Sequence, residues 1–383
     1  MAQVRNPAIV KPELLAWARE DAGYDVEVAA KKIAIKAEKL AACETGQERL
    51  TVNQLRNLSN VYKRPLAFFY LPAPPESEID LRDFRHFPDE SEHKLSPELR
   101  LEVRKAKSRR DLALRLLDEL DTTPQIFEAT ASTNESPEVV GKRVRDILGI
   151  SFERQLQLKT DYEALHFWRD AIEAHGVLVF QASIDKKEMR GFSLWFSPLP
   201  VTVMNAKDSP YGRVFTMVHE LTHLMLRSAG LCDLGNDQLE VFCNAVAGEA
   251  LVPSDLFLRE SIVRDNGTPR WSDEELSGLS SRYSVSLEVI LRRLLSLGRT
   301  TQDFYQLKRE EWKKSKKKGG GFAPMPLRIV AASGKTFVRL VLDSYHQDKI
   351  SSTDAAQYLG TKLGHLPEIE QAVRIPTLMK DRT

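Results

Sequence analysis

Cysteine is scarce in this sequence: Cys43, Cys232 and Cys243 are the only three in 383 residues. Three thiols cannot all pair within one chain, and their spacing is not that of a compact metal knuckle. Free thiols in a reducing cytoplasm are therefore expected, not a disulfide framework. Long apolar runs are absent as well. No stretch of 18 or more apolar residues occurs, so no membrane span and no membrane partner is expected. Met1–Val10 has neither an apolar core nor a small-residue cleavage pattern, so no secretory signal is read there. Neither sign of charge is in excess: 55 Lys and Arg face 54 Asp and Glu, for a net charge of +1. That argues against a chain-wide polyanion binder and leaves only a local basic face open. What is present is ordinary globular composition, 42% hydrophobic and 28% charged. The length suits two or three domains.

Residues 11–70 read as short helices with short connectors. Pro12–Arg19, Asp25–Ile33, Lys36–Glu44, Thr51–Tyr62 and Pro65–Tyr70 make five helical stretches, with Gly23 and Gly46 as stops. Such a pattern suits a small all-α bundle. Leu71-Pro-Ala-Pro-Pro-Glu-Ser-Glu78 reads as a stiff linker. Pro97–Leu120 is a long helix whose Arg104–Arg110 run is basic. The whole helix carries seven cations against five anions, which favours a solvated face over a nucleic-acid site. From residue 176 the period shortens. Val177–Phe180, Phe192–Phe196 and Val201–Met204 read as strands broken by Gly191, Pro198 and Pro200. Helical periodicity resumes at Tyr211–Arg227, Asp237–Leu251, Glu274–Tyr283 and Leu287–Leu297. Lys308–Lys318, followed by three glycines, reads as a solvated helix end and linker. Residues 325–375 form a helical tail, read as a packing appendage more than a docking surface; His346 and His365 there are read as unrelated to any metal.

The sharpest signal is His219-Glu-Leu-Thr-His223, inside a helical stretch. Residues i and i+4 share a helix face, so both imidazoles can reach one ion. Two neutral His nitrogens are half of a zinc site, and Glu220 beside them can take a proton from an activated water. Chance alone produces such a string in roughly one chain of this length per hundred. Catalytic zinc takes three protein ligands. Glu240, on the next helix, is the best third candidate, because Asp233-Leu-Gly-Asn-Asp237 offers a turn that could fold it back. Asp233, Asp237, Glu249, Cys232 and Cys243 are rivals. Phe192–Phe196 could hold an extended substrate by strand addition, although Trp195 and Phe196 read better as core. Tyr211, His175 and Tyr283 are the candidates for stabilising an oxyanion.

The stretch from Gly176 to Pro253 resembles the ImmA/IrrE family of zinc metallopeptidases. The matching pieces are Gly191-Phe-Ser, Pro200–Asn205, Val214–His223, and Glu240-Val-Phe-Cys-Asn-Ala-Val-Ala-Gly-Glu-Ala-Leu-Val-Pro253. Cys243 stands where that family usually has Ala, and Val246 where it usually has Phe. Leu276–Leu294 is similar to the helical module that follows in the family. The resemblance implies Zn²⁺ held by His219, His223 and Glu240, with Glu220 as general base. Residues 11–70 resemble the Xre-type helix-turn-helix that often precedes such a domain. Its recognition helix would be Lys36–Glu44, which offers only Lys36 and Lys39 as DNA-contacting cations, opposed by Glu38 and Glu44. Residues 1–70 hold 11 cations and 8 anions, a weak footprint for DNA.

The implied fold is α+β, mostly α. It comprises an N-terminal five-helix helix-turn-helix-like bundle (1–71), a linker (72–95), and a zincin-like metallopeptidase domain with a small sheet (96–318, core 160–300). A linker and small helical tail (319–383) complete it. The implied function is zinc-dependent endoproteolysis of a repressor-type transcription factor, derepressing stress or mobile-element genes in the cytoplasm. A second reading is an antitoxin-like regulator that binds a neighbouring toxin and its own promoter DNA, with the peptidase fold as scaffold.

Overall fold

The computed structural model describes residues 6–75, 95–227, 237–314 and 323–374. Cys232, Asp233 and most of the expected 233–237 turn lie outside the described residues, as do the glycine linker and much of the 72–95 linker. The chain divides into two compact units, Met1–Ser108 and Arg109–Thr383. Among the described residues it is mostly helical, with one three-stranded sheet. No helix among the described residues is long and apolar enough to cross a membrane.

The first unit contains α1 (Pro12–Asp21), α2 (Val26–Lys32), α3 (Ala37–Glu44), α4 (Val52–Tyr62) and a 3-10 turn at Leu66–Tyr70. Pro12 starts α1 without losing a helical hydrogen bond. A reciprocal box opens α4, in which the Gln54 amide donates to Thr51 Oγ1 and the Thr51 amide donates to Gln54 Oε1. Leu14, Leu40, Leu55, Leu58, Tyr62 and Phe69 form its core. The long helix α5 (Pro97–Glu119) begins in this unit. The cations of α5 form the expected solvated face only in part, with Lys105 and Arg115 exposed. Arg100 and Arg104 are buried. Arg104 donates to the Tyr62 carbonyl at 2.9 Å, and Arg64 and Arg104 share Asp21 at 2.7 and 3.5 Å. Backbone carbonyls and one buried carboxylate accept from these guanidinium groups where water was expected to.

In the second unit follow α6 (Pro137–Ile147), α7 (Phe152–Gln155), α8 (Asp161–Glu173), β1 (Leu178–Ala182), β2 (Gly191–Leu194), β3 (Val201–Asn205), α9 (Pro210–Leu226) and α10 (Asp237–Leu251). The strand order is β1-β3-β2. Strand β3 runs parallel to β1, pairing Leu178 with Val201, and antiparallel to β2, pairing Leu194 with Val201. Strand β2 therefore lies at an edge. It ends at Leu194, two residues short of the expected strand, and Trp195 packs partly buried against the core. The helices α11 (Ser254–Phe257), α12 (Ser261–Arg264), α13 (Asp273–Tyr283), α14 (Leu287–Ser296) and α15 (Gln302–Lys314) complete the main core around Trp168, Met217, Leu221, Val246, Tyr283 and Leu294.

The tail, α16 (Met325–Ser333), α17 (Lys335–His346), α18 (Ser352–Tyr358) and α19 (Leu366–Arg374), packs onto this unit. Helix α16 lies against β1, and Phe337 of α17 meets Phe180 edge-on at 6.0 Å. Gly334 turns between α16 and α17 with φ +81; a Cβ there would sit 2.5 Å from Glu173 Oε1 and 2.8 Å from the Val179 carbonyl. His346 and His365 pair with Glu370 and Glu368 within the tail.

Helix α10 is fixed at its C-terminal end by side chains. Helix carbonyls there have no intrahelical partner and need another donor. Arg145 donates to the Ala250 carbonyl at 2.7 Å, Gln155 to that of Leu251 at 2.9 Å, and Arg293 to that of Val252 at 2.9 Å. Arg145 also donates to Gln155 Oε1 at 2.6 Å, and Arg293 pairs with Glu249. Burial lowers both guanidinium pKa values to about 10, against the opposing charges of Glu153 and Asp146 at Arg145 and of Glu138 at Arg293. Both therefore stay charged at neutral pH. Arg145→Ala strands two buried acceptors, and urea unfolding is expected to show a loss of about 3 kcal/mol. An unchanged midpoint would show that the clamp adds nothing.

Candidate metal centre

Helix α9 opens on a Ser209 cap, whose hydroxyl accepts from the Gly212 amide, with Pro210 in the first turn. Its apolar face, Val214, Met217, Val218, Leu221 and Met225, is buried in the core. His219 and His223 lie one turn apart, with ring centroids 4.8 Å apart. Phe215, a turn earlier, stacks on His219 at 6.4 Å. Glu240 sits in the first turn of α10, and α10 packs on α9. The two Nε2 atoms are 3.1 Å apart. Glu240 Oε2 lies 3.3 Å from His219 Nε2, and Oε1 lies 3.2 Å from His223 Nε2. Among the described residues these three form a group able to hold a metal ion.

The donor set can be tested against zinc. Bonds of about 2.0 Å at tetrahedral angles separate neighbouring ligand atoms by about 3.3 Å. The two Nε2 atoms, 3.1 Å apart, match that edge, while Glu240 turns a different oxygen to each imidazole; taking one ligand atom from each residue, all lie within 4.8 Å of one another. Two imidazole nitrogens and one carboxylate are also borderline donors of the kind zinc accepts. His219 Nδ1 is buried without a hydrogen-bond partner among the described residues. Burial would raise the Glu240 carboxyl, but hydrogen bonds and charge from His219 and His223 outweigh it and hold the group below the usual carboxylate range.

Glu220 stands apart from this triad. It is buried, and Ser193 Oγ donates to its Oε2 at 2.8 Å. Ser193 lies on the edge strand β2, between inward-packed Phe192 and Leu194. Gly191 is needed for the same approach: a Cβ there would come 2.3 Å from Thr216 Cγ2 and 3.4 Å from Glu220 Oε1. Sequence reading missed Ser193 as the partner of Glu220. The signal available was the alternation in Gly191-Phe-Ser-Leu194, which puts Gly191 and Ser193 on one face.

Of the described rival ligands, Glu249 is engaged elsewhere and Cys243 lies against the triad. Glu249 pairs with Arg293 and accepts from the Ser254 amide at 3.0 Å. Cys243 is fully buried one turn beyond Glu240, its thiol pushed up by burial despite a hydrogen bond with His223. Of Asp237 only the backbone is described. Among the oxyanion candidates, Tyr283 bonds Glu260 at 3.2 Å and His175 bonds the Ala171 carbonyl at 2.8 Å. Tyr211 lies about 12 Å along the α9 axis from His219. In the first unit, Lys36 precedes α3 and is exposed, whereas Lys39 is half-buried. Glu44 does not oppose them freely, because Arg19 grips it at 2.9 Å.

Two imidazoles and a carboxylate are thus brought together by a helix pair beside a small sheet, a set that could hold a metal ion. Residues 172–295, about a third of the chain, match the family model Peptidase_M78, described as an IrrE N-terminal-like domain. No curated protein and no solved structure matches the chain.

Proposed function

We propose that the protein is a zinc-dependent endopeptidase that acts on another regulatory protein. His219, His223 and Glu240 would hold the ion, and Glu220 would move the protons. The observation that carries the reading is the convergence of one ligand atom from each of His219, His223 and Glu240 to within 4.8 Å of one another, with a second carboxylate, Glu220, held by Ser193 next to His219 in the chain. When bound, zinc supplies Lewis acidity, acidifying water and polarising a carbonyl. Ser193 fixes Glu220 through Oε2, which leaves Oε1 to accept the proton of the attacking water. As the water oxygen bonds to the carbonyl carbon and the C–N bond breaks, the same carboxyl returns that proton to the amine nitrogen. The outer edge of β2 offers backbone groups to an extended peptide, which would lie as an added strand beside Glu220.

A repressor-type transcription factor is the substrate class implied by the ImmA/IrrE resemblance. The test is to incubate purified protein with the product of the neighbouring regulatory gene. Cleavage by zinc-loaded protein, abolished by a chelator and restored by zinc, is the expected result. A stable, uncleaved complex with a small toxin-like neighbour would instead establish the antitoxin-like reading.

A further inference from the structure

Within the second unit the tail helices line a cavity of about 860 Å³, and His219, His223 and Glu240 are not among its lining residues. That size falls within the range of small-molecule sites. Its lining takes one cation from each of five elements: Arg109 of α5, Arg169 of α8, Arg213 of α9, Arg328 of α16 and Lys335 of α17. No Asp or Glu is among the described residues that line it.

Carboxylates outside the lining neighbour two of these cations. Asp170 lies 2.6 Å from Lys335, and Glu173 lies 3.4 Å from Arg169. Arg213 is 7% exposed; its Nη1 donates to the neutral Gln181 Oε1 at 2.9 Å, and its guanidinium also bonds the neutral Tyr162. Arg213 Nε is buried with no hydrogen-bond partner among the described residues. The His166 imidazole, on the same wall, is pushed down to about 4 by burial first and then by Lys335 and Arg169, with Asp170 opposing. It is neutral at pH 7 and can still donate one N–H.

We propose that this cavity binds a small organic phosphate. A planar carboxylate is satisfied by one guanidinium fork, whereas a lining that draws cations from five elements suits a tetrahedral, multiply charged group. The α16 side of the cavity supplies an apolar wall of Leu327 and Ile329, which suits an organic body attached to that group. Burying a guanidinium such as Arg213 without a full set of acceptors is costly, and an anion in the cavity would supply the missing one.

The test is isothermal titration of the full chain with adenosine monophosphate, pyrophosphate and, as a carboxylate control, citrate. Saturable binding of the phosphate compounds is expected, weakening as KCl is raised. Arg213→Met should weaken it roughly 10- to 100-fold. Because Arg213 is buried, Arg328→Gln at an exposed position gives a second reading that does not depend on the core, and it should weaken binding in the same direction. No saturable heat up to about 5 mM ligand, unchanged affinity in folded variants, or citrate binding as tightly as the phosphates would each overturn the proposal. The titration reads binding alone, so its outcome is separate from any cleavage assay.

Discussion

Glu220→Gln is expected to cut peptide cleavage by roughly 10²- to 10⁴-fold while the bound metal stays at the wild-type level. The two halves of that result come from separate features. Glu220 contributes no atom to the donor triad, so its loss leaves the three 3.1–3.3 Å separations intact. Its carboxylate is buried and held by Ser193 at 2.8 Å, so the isosteric amide fits the same space and keeps that hydrogen bond. What disappears is the ability to accept and return a proton. Turnover of a cleaved regulator, measured beside metal content by elemental analysis, checks both halves. Equal cleavage by wild type and variant would remove Glu220 from the chemistry.

Glu240→Ala should have the opposite signature: metal content falls first and activity follows. The variant leaves two imidazoles on one helix, and two ligands rarely retain zinc against a competing chelator. An affinity loss of at least about 100-fold is expected, read by competition with a chromogenic chelator. Unchanged zinc in the variant would refute the ligand assignment and turn attention to Cys243, which is the nearest alternative donor on α10.

Much of this site was legible because its parts are local. His219, Glu220 and His223 fall within one and a half turns of a helix whose cap and apolar face are both written nearby. Helix α10 appears with the bounds read from its periodicity, Asp237–Leu251. Glu240 needed a turn to be supposed between helices, and there the spacing alone left several rivals standing. The supporting groups were not legible. Ser193 reaches Glu220 across 27 positions, and Arg145 reaches the Ala250 carbonyl across 105. No periodic pattern carries such distances. The region from 121 to 175 gave no reading, yet α6 and α8 supply Arg145 and Trp168 to the core. The basic run on α5 misled in part, at Arg104 and Arg110, for a related reason. Charge counts say nothing about distant acceptors, and Arg110 finds the Pro198 carbonyl at 2.9 Å and the Phe196 ring at 4.3 Å.

The clamp at the end of α10 sets an alignment tolerance for the whole centre. Glu240 and Ala250 are ten residues apart on one helix, about 15 Å along its axis. A tilt of about 5° at the clamped end would swing the carboxylate by about 1.3 Å, whereas zinc coordination accepts roughly 0.2 Å. Arg145, Gln155 and Arg293 thus act as the bearing of a lever whose free end is the third ligand. Substitutions at that bearing should lower metal affinity before they unfold the chain, although none of the three side chains belongs to the donor set.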